Sequence, residues 1–317
     1  MKPTSTREAF GEALVEAGAS DPRVVALDGD VATSVMTAEF GKRFPDRYFQ
    51  LGIAESNIVG VAAGLAMSGK VPFCASFACF ITGRFETIRM SVAYNRANVR
   101  IVGTHVGVGI GPDGHSQMGL EDVAIMRTLP NMAVIQPATG VETRAATHYL
   151  VDHHGPAYLR LTRQKLPELF GDDYEFGFGK GTVLREGSDV AIIGSGAGLH
   201  EALGAAEILG SHGISASVAN IHTIQPLDDE LVASLARSCG RVVTVEDHTV
   251  VGGLGGAVTE SLSERCPVPV LRIGVRGFGE SGDPDELYER FGLSAAKVAA
   301  SVAGFVQSPA EAGLARH

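Results

Sequence analysis

The chain has 317 residues, of which 45% are hydrophobic, 20% are charged and 40 are glycine, and its formal net charge is -10. That length suits two domains. The acidic balance, with no basic block, argues against a nucleic-acid or anionic-membrane partner, and the absence of any apolar run of about 18 residues argues against a membrane-spanning helix.

The pattern is read in chain order. An amphipathic helix is expected over 6–17, with Ser5 or Thr6 as its cap. VVALDGD is a buried strand that stops at acidic residues and glycine, as parallel strands do at the end where α/β proteins place their sites. A helix carrying Phe40 and Phe44 follows and breaks at Pro45. YFQL is a short strand, and 56–66 is a small-residue helix in which Gly60 and Gly64 permit close approach of a neighbour. VPFCASF is a strand and 84–94 a helix. VRIVGTHVGVG is a strand running into a glycine-rich loop. A helix over 120–129, the strand MAVIQPA, a helix over 140–152 and the strand AYLRLTR complete a first unit. The alternation resumes at DVAIIGSG and ends in a helix over 295–306. Repeated strand–helix alternation implies parallel sheets covered on both faces. The expected domains are 1–170 and 183–317, joined by a linker at 171–182, with a weakly ordered tail at 308–317. MKPTSTREAFGEAL has no apolar core of a signal peptide, so the expected location is cytoplasmic.

Most candidate motifs have a structural explanation. Cys74, Cys79, Cys239 and Cys266 lack zinc spacing and read as free thiols of a reducing compartment. The run 194–198 departs from G-x-G-x-x-G at Leu199 and reads as a tight strand–helix turn. Glycines 252–256 read as a close-packed helix start. Asp28-Gly29-Asp30 is a poor metal site, and no metal ligands are expected in this chain. Glu246-Asp247-His248 has no nucleophile elbow beside it and reads as a strand-end or subunit-contact motif. His153-His154 read as an exposed turn.

Three features ask for a ligand. Glu55 heads an apolar helix with almost no polar company, and burying even a neutral polar group unpaired costs about 2–7 kcal/mol. The loop THVGVGIGPDGHSQMGLED has five glycines, each entropically costly to order, among His105, Asp113, His115 and Gln117. Arg163, at a strand end beside Gln164 and Lys165, suits a phosphate or carboxylate.

The motifs STREAFGEAL, ALDGD, FPDRYFQLGIAESNIVGVAAGLA, VPFCASFACFITGRFETIRM, GTHVGVGIGPDGHSQMGLEDVAIMRTLPN and LRLTRQ together resemble the pyrimidine-binding domain of transketolase. The region from VAIIGSG to GFGESGDPDELYERFGL is similar to the transketolase C-terminal domain. The resemblance covers nearly the whole chain. The Gly-Asp-Gly magnesium motif of the family's diphosphate-binding domain has no counterpart, so the chain looks like one subunit of a split transketolase.

The resemblance implies an α/β protein of two doubly wound domains, one with a parallel sheet that binds the pyrimidine of thiamine diphosphate, the other with a mixed sheet. It implies that Glu55 hydrogen-bonds the pyrimidine ring nitrogen, that Phe77 and Phe80 stack on the ring, and that Asp30 is a further cofactor contact. His105 and Asp113 match residues that touch the sugar hydroxyls, and His105 joins Glu55 as a catalytic candidate. Arg7, Ser34 and Arg163 match the acceptor-phosphate grip. Gln117 stands where many members have His, although animal transketolases resemble this chain there. Gly83 stands where some members have a third aromatic. His115 replaces a usual Pro or Ala.

The implied reaction is transfer of a two-carbon ketol unit from a sugar phosphate donor to an aldehyde. An N-terminal diphosphate-binding subunit would hold Mg2+, in an α2β2 heterotetramer. The alternatives are a deoxyxylulose-phosphate synthase-like enzyme, a 2-oxo acid dehydrogenase β-subunit, or a non-catalytic assembly subunit of the same fold.

Overall fold

The computed structural model describes residues 2–171 and 173–308, so the tail expected at 308–317 lies, but for Ser308, outside the described residues. In the first half, β1 (Thr4–Ser5), α1 (Thr6–Ser20), β2 (Val24–Asp28), α2 (Ala38–Arg43), β3 (Tyr48–Gln50), α3 (Glu55–Met67) and β4 (Val71–Phe77) follow in turn. Then come α4 (Ala78–Thr82), α5 (Phe85–Thr87), β5 (Arg100–Thr104), α6 (Asp122–Arg127), β6 (Ala133–Ile135), α7 (Gly140–Asp152), β7 (Ala157–Arg160) and β8 (Lys165–Leu166). The second half comprises β9 (Thr182–Arg185), β10 (Val190–Gly194), α8 (Ala197–Ser211), β11 (Ala216–Asn220), β12 (Thr223–Gln225) and α9 (Asp229–Cys239). It ends with β13 (Val242–Thr249), α10 (Leu254–Arg265), β14 (Val270–Val275), α11 (Pro284–Arg290) and α12 (Ala295–Gln307).

Two sheets result. The larger has seven strands in the order β12-β6-β7-β5-β4-β2-β3, parallel except for β12. The smaller has five, in the order β14-β13-β10-β11-β9, parallel except for β9. Strands β2, β4, β5, β7, β10 and β11 are buried at every residue, which is why they read as continuous apolar runs. The chain is thus α/β with two open sheets wound on both faces.

Local signals explain most boundaries. Ser5 caps α1 through the Glu8 amide, and the Glu8 carboxylate returns to the Ser5 amide, a reciprocal capping box whose Ser alone is worth about 1 kcal/mol. Asp228 and Ser294 cap α9 and α12 through the Leu231 and Lys297 amides, without the return bond. The helix expected over 84–94 is different: α5 is one short turn, and Ile88–Ala93 continues in wider π-type turns.

The halves interlock. Strand β12 comes from the second half but pairs antiparallel with β6 at the edge of the larger sheet. Gly140 and Val141, at the start of α7, donate their amides to Glu168, which lies before the expected linker, and within that linker the Tyr174 hydroxyl reaches Glu142. Between the two sheets the Arg160 guanidinium donates to both carboxylate oxygens of Asp122 at 2.8 and 3.1 Å, to Gly119 O at 2.9 Å and to Asp247 O at 3.0 Å. Both members of this ion pair are 1% exposed.

Candidate active site

Four neighbouring parallel strands, β3, β2, β4 and β5, bring four sequence-predicted residues to one sheet edge. Asp30 follows β2, Glu55 opens α3 after β3, Phe77 ends β4 and His105 follows β5. This is the carboxyl-end crevice where open α/β sheets hold ligands.

Glu55 is the first residue of α3, where its charge complements the helix N-terminus. It is buried, and among the described residues no hydrogen-bond donor or cation meets its carboxylate. A Cβ on Gly29 would lie 3.9 Å from Glu55 Oε1 and only 2.8 Å from Ile58, so glycine lets the end of β2 fit under α3. Nearby Asp28 is buried too and half occupied: its Oδ2 accepts from Thr37 Oγ1 at 2.5 Å and from Tyr48 OH at 2.6 Å, while its Oδ1 is buried without a partner among the described residues. Asp30 sits at φ 66° and accepts from Gln50 Nε2 at 2.9 Å.

Phe77 and Phe80 lie on either side of the turn into α4. Their rings are 5.3 Å apart and inclined by 7°. The other neighbour of Phe77 is His105, stacked at 3.7 Å and 18°. His105 is 2% exposed and adopts φ 58°, a left-handed conformation held in place by its surroundings. Its Nδ1 lies 2.9 Å from Thr104 Oγ1 and its Nε2 3.4 Å from Arg7 Nη1. Burial first, then the Arg7 and Arg163 charges, push its pKa down to about 3.

Arg7 reaches this place because α1 starts against the end of β7: the Thr6 hydroxyl accepts from the Thr162 amide at 2.8 Å. Arg7 Nη1 donates to Ser34 O at 2.7 Å, so Ser34 contributes its carbonyl here. Arg7 Nε is buried without a partner. Burial and the neighbouring Arg163 lower the Arg7 pKa. Arg163 Nη1 is 2.9 Å from Asp113 Oδ2 in a half-exposed pair. Two guanidiniums thus converge; Asp113 pairs with Arg163 and Glu8 acts on Arg7, but Arg7 Nε keeps a free donor that an anion can take.

The remaining predicted residues lie at the rim. Gln117 is half-buried in the turn over His115–Gln117. His115 turns to the second half, where its Nδ1 accepts from the Gly279 amide at 3.0 Å and its ring meets Phe278 edge-on. Gly83 ends α4 with no ring of its own. Gly60 and Gly64 face open space, so the close neighbour expected for α3 is absent among the described residues. His153 is half-buried against Tyr149 and Phe178, whereas His154 is exposed as expected. The four cysteines are free. Among the described residues no group of three His, Cys, Asp or Glu is arranged to hold a metal ion, and no helix is long and apolar enough to cross a membrane.

Sequence reasoning missed four contributors. Thr104 orients His105, Arg160 and Asp122 pair behind it, and Tyr288 on α11 meets Asp247. Glu246-Asp247-His248 lie within β13 and not beyond its end, and Glu246 accepts the Leu254 and Gly255 amides that open α10, at 2.7 and 2.8 Å.

The strand ends thus gather a carboxylate without a donor, a phenylalanine stack and a pair of arginines. Residues 2–168 match the pyrimidine binding domain of transketolase and 179–298 the transketolase C-terminal domain. The chain belongs to the transketolase family, and that membership implies dependence on thiamine diphosphate.

Within the family it is 43% identical to the 6-deoxy-6-sulfo-D-fructose transketolase subunit SqwH of a Clostridium species, over 92% of this chain and 91% of that one. It is 44% identical to a putative transketolase C-terminal section of Methanocaldococcus jannaschii, over 92% and 93%. Against human transketolase the identity is 39%, over 95% of this chain but 49% of the human one, so the chain spans about half of that relative. A solved structure described as a split gene transketolase, inactive beta4 tetramer, superposes with a TM-score of 0.88 at 46% identity, over 96% and 98% of the two chains.

Proposed function

We propose that this chain is the pyrimidine-binding and C-terminal subunit of a thiamine-diphosphate-dependent transketolase. It helps to move a two-carbon ketol unit from a ketose phosphate to an aldehyde. The observation that carries this reading is the gathering of Glu55, Phe77 and His105 at the ends of adjacent parallel strands, with Arg7 beside them.

The residues present fit an aminopyrimidine. Glu55 is a buried residue whose carboxylate has no donor among the described residues, and a protonated or hydrogen-bonding ring nitrogen supplies one. Phe77 and Phe80 offer apolar ring surface. Bound here, the cofactor supplies the carbanion chemistry of ketol transfer. The chain's own residues bind and orient: Glu55 holds a proton at the ring nitrogen, while Phe77 and Phe80 exclude water from that face. Neutral His105 and Asp113 meet the sugar hydroxyls, and Arg7, Ser34 and Arg163 take the anionic end of the substrate. Asp30 and Gln117 line the rim.

Mg2+ and the diphosphate belong to a separate N-terminal subunit in an α2β2 assembly. Support comes from relatives of matching length described as a subunit or section, and from an outward face of α3 that leaves Gly60, Gly64 and Met67 exposed. The expected location is the cytoplasm.

A second donor chemistry is favoured by one observation: a relative sharing 43% identity carries a sulfonated ketose in its name. Two guanidiniums grip a sulfonate as readily as a phosphate. The test is a donor–acceptor screen on this chain reconstituted with a diphosphate-binding half, using fructose 6-phosphate and 6-deoxy-6-sulfo-fructose side by side. Ketol transfer from either supports the proposal. Pyruvate-dependent release of CO2 in its place reverses it towards the synthase or dehydrogenase alternatives.

A further inference from the structure

The glycines of the loop over 105–119 are fitted to protein, not to open space. Gly107 sits at φ 78°, and a Cβ there would overlap the Asp247 carboxylate. One on Gly109 would overlap the Gln164 amide, and one on Gly114 the Ser281 hydroxyl. One on Gly111 would press 3.1 Å from Pro284 at the start of α11. Three of these four neighbours belong to the second half of the chain.

Asp247, on β13, is 2% exposed. Its Oδ1 accepts from the Val108 amide at 2.8 Å and its Oδ2 from the Gly109 amide at 3.4 Å. Tyr288 OH lies 2.7 Å from Asp247 Oδ2 and 3.2 Å from Gln164 Oε1. A phenol has one proton, and the shorter, charge-assisted contact takes it. Tyr288 therefore touches both walls of the anion site, the loop through Asp247 and the Arg163 segment through Gln164. At the far end of the loop, the Gly279 amide donates to His115. Asp113, the partner of Arg163, lies between these two fastenings.

A half-exposed ion pair such as Asp113–Arg163 is too weak to hold a guanidinium in place by itself. Three loop glycines at positive φ add freedom that something must remove. We propose that Asp247 and Tyr288 are positioning residues of the C-terminal unit, which clamp the loop so that Arg163 and Asp113 stand at the spacing a phosphorylated or sulfonated substrate requires. The proposal rests on the reading of Arg7 and Arg163 as the anion grip.

The test uses the reconstituted two-subunit enzyme with Tyr288→Phe, Asp247→Asn and, as a reference, Arg163→Ala. The first two are nearly isosteric, and unchanged circular dichroism and assembly size confirm their folding. Amide exchange at Val108 and Gly109 is expected to speed up about tenfold or more. KM for a phosphorylated aldehyde rises about tenfold, while kcat and KM for glycolaldehyde, which has no anionic end, stay within about twofold. A merely structural role lowers activity towards both aldehydes together, and that result, like wild-type exchange and KM, overturns the proposal. If Arg163→Ala leaves the KM for the phosphorylated aldehyde unchanged, the anion-grip reading fails. Exchange at Val108 and Gly109 then decides the clamp alone, and unchanged protection in Tyr288→Phe rejects it.

Discussion

Arg7 Nη1 stands 3.4 Å from His105 Nε2, and this contact decides which imidazole nitrogen carries the proton. A guanidinium only donates, so Nε2 is the acceptor. Nδ1 then holds the hydrogen and gives it to Thr104 Oγ1 at 2.9 Å, which in turn donates to Ser76 O at 3.4 Å. With burial and two arginines against the cation, His105 is neutral in the folded chain. Nitrogen-15 spectra should show the Nδ1–H tautomer unchanged from pH 8 to pH 5. An imidazolium signal for His105 above pH 5 contradicts this.

Removing the carboxylate of Glu55 should abolish turnover in the reconstituted enzyme without unfolding the chain. Glu55→Gln keeps the size of the side chain but cannot take a proton from a ring nitrogen, and a loss of about 100-fold or more in kcat is expected. Retained activity would favour the non-catalytic reading of this subunit.

Arg7→Ala and Arg163→Ala should each raise KM for substrates with an anionic end by about tenfold, with a smaller change in kcat. The comparison is with the same reaction run on an uncharged aldehyde. Equal effects on both aldehydes speak against an anion grip.

The buried Arg160–Asp122 pair lies within the first unit, and Arg160 ties it to the second sheet through Asp247 O at 3.0 Å. Burial works against the Asp122 charge, yet Arg160 and His248 outweigh it and hold its pKa below the usual value. Asp122→Ala strands a guanidinium in the interior, at a cost of about 3–5 kcal/mol in urea unfolding. A loss under about 1 kcal/mol would mean that the pair is not buried in solution.

Glu142 offers a pH test of the junction. Burial raises its pKa to about 7 from the usual 4.5, although the Ala138 amide, Tyr174 OH and Asn220 Nδ2 all donate to it. The folded chain therefore holds the proton more tightly than the unfolded chain. This contribution is complete below pH 4.5 and is lost as pH rises through about 7. Glu142→Gln should flatten stability against pH in that window, whatever it does to absolute stability. An unchanged slope means that Glu142 is ionised throughout.

Much of this was legible in the residues themselves. Apolar runs ending in Asp28, Phe77 and Thr104 announced parallel strands and a site at their ends, because a strand buried on both faces has no other place for polar groups. Glu55 was conspicuous because its neighbours are apolar. What local pattern could not convey was contact across the chain. Thr223–Gln225 follows the second unit's β11 in the chain, yet it completes the first sheet. The glycines of 105–119 read as a ligand loop, yet four of them fit against Asp247, Gln164, Pro284 and Ser281. Short elements such as Thr182–Arg185 and Pro284–Arg290 gave too few residues to establish a period.

The account turns on a site completed by a second chain. The most direct measurement is ketol transfer by the purified chain with thiamine diphosphate and Mg2+, before and after addition of a diphosphate-binding transketolase half. The chain alone should give no turnover, and the mixture should give turnover that Glu55→Gln removes. Sustained transfer by the chain alone would contradict the shared site.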